Sequence, residues 1–189
     1  MPTFNDLYYN FIGNTNLKPE DAHLVNFGVS WSRSNLSYLK EKNGVMLEMG
    51  IDAYMNFVQN KIVAVPTKDL FNWSMQNIGN TRAIGFDFTS TYMHQFNENW
   101  LQHMTLSVSY NNSVDVTDPD LPSYGHQIPY TPLINGAYSY AISYKGYRLE
   151  SNLLYSGERY SLNENIPINR LEPFVDLNLG LAKAWKIKK

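Results

Sequence analysis

Three carboxylates fall close together in Asp115-Val116-Thr117-Asp118-Pro119-Asp120. Oxygen-rich runs of this kind hold Ca²⁺, so Asp115, Asp118 and Asp120 are the candidate metal ligands, with calcium the expected ion. The plainer reading is a solvated turn pinned by Asp118-Pro119, because an EF-hand-like ligand run is missing. His103, Ser107 and Asn111 form a second set, spaced four residues apart. Hydrolysis needs nucleophile, base and orienter within hydrogen-bond reach. Four residues along a strand span about 13 Å, so these side chains cannot form a triad. His94 and His126 stand alone, and no phosphate loop or zinc-spaced histidine cluster occurs. The third set is aromatic. Phe71, Trp73, Tyr124, Tyr130 and Tyr160, joined by Met75, lie between strand-like segments and could stack on a large planar ligand. Loop packing or a membrane-boundary belt would use the same residue types. An enzyme is therefore the least favoured class, and no cofactor beyond calcium is expected.

The elements that must position these residues announce themselves by a period of two. Residues 133–155 read as a hairpin. Ile134, Gly136, Tyr138, Tyr140, Ile142 and Tyr144 fall on one face, while Asn135, Ala137, Ser139, Ala141 and Ser143 fall on the other. Lys145-Gly146 supplies a two-residue turn. The returning arm places Tyr147, Leu149, Leu153 and Tyr155 against Arg148, Glu150, Asn152 and Ser156. Each arm has about ten residues, enough for one tilted crossing of a bilayer. Five further alternating runs are predicted at residues 23–33, 44–62, 81–96, 100–111 and 173–187, giving an all-β, antiparallel up-and-down meander of about seven strands. Residues 1–22 and 63–80, a stretch of about twenty after strand four, and 157–172 read as irregular or connecting. The terminal Lys186, Lys188 and Lys189 read as a solvated strand end.

Composition is compatible with this picture. The 189-residue chain has 14% aromatic residues, a net charge of -2 and no cysteine. Disulfides and thiolate chemistry are thereby excluded, and nothing in the charge suggests a nucleic-acid partner. No apolar run is long enough for a spanning helix, although barrel strands need none. The first ten residues have neither a basic start nor an apolar stretch, so an exported protein of this sequence would be a piece of a longer one.

Two patterns distinguish lipid from a soluble core. Connections after the first, third and fifth strands are short, and those after the second, fourth and sixth are long. Outer-membrane barrels alternate in this way, with short turns on one side of the bilayer and long loops on the other. Mid-strand charges (Glu48, Asp52, Asp87, Arg148, Glu150, Asp176) all lie on the polar register. A charge facing lipid at mid-depth costs about 2–4 kcal/mol, so this one-sidedness is expected in a membrane. A soluble barrel or sandwich that binds a small apolar ligand or glycan is the alternative, since its core would exclude charge too. A surface barrel with adhesive loops is a third class. Seven strands leave two open edges, which points to a segment of a larger barrel.

Certain stretches are more specific than the pattern. PTFNDLYYNFIGNTNLKPE (Pro2–Glu20) resembles the PTF-x-(D/E)-LYY … GN-x-x-LKPE stretch of TonB-dependent outer-membrane receptors. Residues 60–88 are similar to a late-barrel segment of that family, including an N-x-G … G-(F/I/V)-(D/E) element from Asn77 to Asp87 with altered spacing. IPYTP (Ile128–Pro132) resembles the start of a descending strand there, and the nearest likeness is to cobalamin-type receptors of Bacteroides-like bacteria. The resemblance implies that residues 1–189 are part of a barrel of about 22 strands in the bacterial outer membrane, in contact with its lipid. It implies that the plug, the TonB box, and the early and final strands lie outside this chain. It also implies active import of a corrinoid or, next, an iron–siderophore. The TonB complex would act through the plug.

Overall fold

A computed structural model describes residues 1–35, 43–66, 73–77 and 79–185. A five-residue helix, α1 (Phe4–Tyr8), comes first. The strands follow in order: β1 (Asp21–Ser34), β2 (Gly44–Gln59), β3 (Ile62–Pro66), β4 (Trp73–Asn77), β5 (Thr81–Gln95), β6 (Trp100–Asp115), β7 (Ile134–Tyr144), β8 (Tyr147–Ser156), β9 (Arg159–Tyr160), β10 (Arg170–Leu171) and β11 (Phe174–Lys183). Seven of them form one antiparallel sheet in the order β1-β2-β5-β6-β7-β8-β11. Each sheet neighbour is the next long strand in the chain, which is the expected meander. The pairs β3–β4 and β9–β10 are small hairpins inside long connections.

Differences from the sequence reading sit in the connections and at the ends of strands. Residues 63–80 contain most of the β3–β4 hairpin, and 157–172 contain β9, β10 and a turn of 3₁₀ helix at Pro167–Asn169. The first 22 residues contain α1, held by a capping box between Thr3 and Asp6. β2 stops at Gln59, where Asn60 turns to positive φ. β6 continues past Asn111 to Asp115. Most of the turn after β1 and the lysines at 186, 188 and 189 lie outside the described residues, as does Phe71.

Register carries the amphipathicity across the sheet. One lateral row reads Trp31, Met49, Ser90, Leu106, Tyr138, Leu153 and Leu177. The next row on that face is Val29, Ile51, Phe88, Val108, Gly136, Tyr155 and Val175. Apart from Ser90 and the bare Gly136, these positions form an apolar belt across all seven strands. The belt ends at the short turns in a row of Trp100, Tyr144, Tyr147 and Lys183, with the Trp100 and Tyr144 rings stacked at 4.3 Å. Arg33 and Arg82 also share the apolar register, both at strand ends.

The other face is polar and contains a like-charge pair, Asp52 directly opposite Asp87. Such pairs weaken a sheet unless the side chains diverge. Here Asp52 leans away over Gly28 of β1, into space that a Cβ would fill. Tyr54 similarly lies across Gly85.

The apolar face is uncovered: Val25 is 68% exposed and Leu179 74%. A soluble sandwich would bury one face under a second sheet; the seven-stranded sheet has no such layer among the described residues. Buried apolar residues instead gather mostly at the long-loop end, where Leu17, Val114 and Ile128 lie.

Candidate functional site: the loop cap

The long connections fold into one hydrogen-bonded cap. Its centre is Asp115, 3% exposed at the end of β6. The carboxylate accepts hydrogen bonds from the Thr117 N–H at 2.9 Å, the Ser123 hydroxyl at 2.9 Å and the Asn163 amide at 2.9 Å. Asp115 thus ties the connection after β6 to the connection after β8. Asn165 strengthens the tie, its amide donating to the Gln127 carbonyl and its carbonyl accepting from the Gln127 N–H. Ile128 donates its N–H to the Ser113 carbonyl, which folds the loop back along β6.

The N-terminal segment and the β3–β4 hairpin form the other half. Asn77 donates to the carbonyls of Lys18 and Asn60 and accepts from the Lys18 N–H at 2.9 Å. Met75 donates its N–H to the Ile12 carbonyl at 2.9 Å and accepts from the Asn14 amide at 3.0 Å. The halves meet where Asn80 and Thr117 exchange hydrogen bonds, and where the Trp73 and Tyr130 rings lie 6.1 Å apart.

Of the aromatic candidates, three are brought together. Trp73 touches Tyr130, and the Tyr130 N–H donates to the Tyr160 carbonyl at 2.7 Å. Tyr130 is half-exposed and holds a positive φ of 57°, unusual for a ring-bearing residue. Met75 belongs to the same cap through its backbone. Tyr124 is exposed in the turn after Leu121 and makes no ring contact with the others among the described residues.

The carboxylates do not converge. Asp115 is occupied by donors of its own chain, and Asp118 accepts from the Asp120 N–H in a local turn. No group of three His, Asp or Glu side chains suited to a metal occurs among the described residues. These geometries make Asp115 a lock between loops.

The sequence reading gave no role in the site to Gln127, Asn163 and Asn165, and placed Asn77 in a family-like element without a site role. It also gave no site role to the aromatic residues of the Pro2–Glu20 stretch, where Phe4, Tyr8, Tyr9 and Phe11 beside α1 line a shallow groove of about 490 Å³. Phe11 is 97% exposed and has φ 68°. The dense aromatics of Phe4–Phe11 were the available signal. In α1 the backbone N–H of Thr3, followed by its hydroxyl contact, holds the Asp6 carboxyl below the ordinary carboxylate range.

A single amphipathic meander, belted on one face and capped by knitted loops at one end, is a piece of a transmembrane-type β-barrel wall. All 189 residues match the family described as TonB dependent receptor-like, beta-barrel, and the chain belongs to that family. It is similar to the vitamin B12 transporter BtuB of Vibrio vulnificus (strain YJ016), with 32% identity over 104 residues, 52% of this chain and 15% of that protein. Its fold is similar to that of the copper transporter OprC, with a TM-score of 0.61 at 15% identity, over 98% of this chain and 27% of that one. The chain thus spans a minor part of the length of each. Both relatives are transporters, not enzymes.

Proposed function

We propose that this chain supplies wall and outer loops to a receptor of the bacterial outer membrane that imports a scarce ligand, a corrinoid first and an iron–siderophore second. The observation that carries the reading is the placement of all long connections at one end of a belted sheet, packed around Asp115 and Asn77. Such loops can meet a ligand outside the cell while the belt lies in lipid. The polar face lines the lumen of a barrel of about 22 strands in this reading. The likeness to a vitamin B12 transporter supports a corrinoid. Trp73, Tyr130 and Tyr160 then offer the aromatic contact, with Met75 and Tyr124 nearby on the cap. Energy coupling would reach the TonB complex through a plug domain outside this chain.

Fractionation of the source cell with an antibody to this segment tests the location. An outer-membrane band several times larger than 21.8 kDa supports the reading, and a soluble band near 21.8 kDa overturns it. Uptake of labelled cobalamin, with ferric siderophore as competitor and with the coupling system deleted, tests the ligand.

A further inference from the structure

We propose that the short-turn end of the sheet binds an anionic phospholipid, with Lys145 and Lys183 at the phosphate and the groove of Phe96, Trp100, Gln102 and Ile142 along an acyl chain. This inference rests on the outer-membrane reading above.

Three observations support it. The turn residue Lys145 has φ 47° and Gly146 φ 81°. Two-residue turns of this shape favour Asn at the first position, where its short side chain tolerates positive φ. A lysine there accepts backbone strain, and what it gains is an ammonium at the boundary, 5.2 Å from the Tyr144 ring centre.

The second lysine is brought to the same turn. Lys183 donates to the Lys145 carbonyl at 3.1 Å, and its ammonium lies 3.4 Å from the Tyr147 ring centre. The Ala184 N–H donates to the Gly146 carbonyl at 2.8 Å, and the Lys145 N–H donates to the Asn99 carbonyl at 3.2 Å. Two turns and a strand end are therefore lashed together. Both ammoniums lie over rings of the lipid-facing register, whereas the basic group of Arg148 is on the other face and already paired with Glu150 at 3.0 Å.

The third observation is the groove, about 350 Å³ and almost wholly apolar, lined by Phe96, Trp100, Gln102 and Ile142. Trp100 joins it to the lysines through its stack on Tyr144. It opens on the apolar face over β6, from the turn that joins β5 to β6 across to β7. A cationic headgroup site above an apolar channel matches an anionic amphiphile, and basic residues at a membrane surface attract such lipids additively.

The test uses the full-length receptor in detergent, with dioleoyl-phosphatidylglycerol or dioleoyl-phosphatidylcholine as probe and bound lipid counted by native mass spectrometry. Phosphatidylglycerol should be retained over phosphatidylcholine. Lys145→Asn and Lys183→Gln should each weaken its retention about fivefold and leave phosphatidylcholine unchanged. Lys145→Asn places a favoured residue in the turn, so a folding failure cannot mimic the result. Equal retention of the two lipids, or a double variant that holds phosphatidylglycerol as well as the native protein does, would overturn the site. A receptor found embedded in the outer membrane with either of those results loses only this inference. A soluble protein loses the function above as well.

Discussion

Replacing Asp115 by Ala should open the loop cap without weakening the barrel wall. The carboxylate is almost fully buried and collects the Ser123 hydroxyl and the Asn163 amide, both themselves half-buried, besides the more exposed Thr117. A buried donor left without its acceptor costs about 1–3 kcal/mol. Thr117 can turn to water, so two donors carry most of the loss; because both are only half-buried, it falls in the lower part of twice that range, about 2–4 kcal/mol in all. A loss near 3 kcal/mol raises the open population about a hundredfold. Amide hydrogen exchange on the full-length protein in detergent reads this directly. Peptides covering residues 116–133 and 157–172 should both exchange about a hundredfold faster, including the amide of Tyr130, which bonds across the cap to the Tyr160 carbonyl. Peptides from the middle of β5 and β6 should not change. Asp115→Asn keeps one acceptor and should fall between. Acceleration of less than about threefold would refute the lock. So would acceleration confined to 116–133, because the bond to Asn163 would then carry nothing between the loops.

Other outcomes follow from the same geometry. Leu106→Arg, on the belt, should destabilise the protein in lipid by about 2–4 kcal/mol, whereas Ser107→Arg on the polar face should cost far less; similar losses in urea titrations would overturn the facing. Gly85→Ala would push a Cβ into the Tyr110 carbonyl and the Tyr54 ring, and should cost about 1–3 kcal/mol. Gly136→Ala meets nothing closer than the Ser107 carbonyl at 3.6 Å and should shift stability by no more than about 1 kcal/mol in the same assay. The Asp6 carboxyl has a lowered pKa in the folded helix, chiefly through the Thr3 backbone hydrogen bond, against an ordinary value of 3.8. Its capping of α1 should therefore be complete above the unfolded value and be lost as pH falls through the lowered one. Limited proteolysis of the first ten residues should follow that direction, and Asp6→Asn should abolish the dependence.

The long strands were legible because a sheet with one apolar and one polar face enforces alternation. In the outer-membrane reading every second side chain between Trp100 and Tyr110 suits lipid, so the period survives in the sequence. Beyond the belt that constraint stops. Asn111-Asn112-Ser113 shows no alternation, yet β6 continues through it to Asp115, because pairing with Arg82 and Thr81 of β5 extends the ladder. Asp115 was consequently read as one of three loop carboxylates. The β3–β4 hairpin was hidden for a related reason. Ile-Val-Ala-Val-Pro has no polar alternation, and its partner Trp73–Asn77 is held by contacts with Ile12, Asn14 and Lys18, distant in the chain. Trp73, Tyr130 and Tyr160 were identifiable by type, whereas their adjacency depends on loop closure.

The sequence by itself determined the all-β class, the seven long strands, the facing of the side chains along them and the end at which the long loops gather. These follow from local periodicity and turn chemistry, which neighbouring residues specify. Tertiary structure decided what the loops do. It buried Asp115 among donors from two connections, set Trp73 against Tyr130, and drew Lys183 to the Lys145 turn. Those contacts join residues far apart in the chain, and polar loop side chains can hydrogen-bond in many directions; only the closed cap and the lashed turns select one.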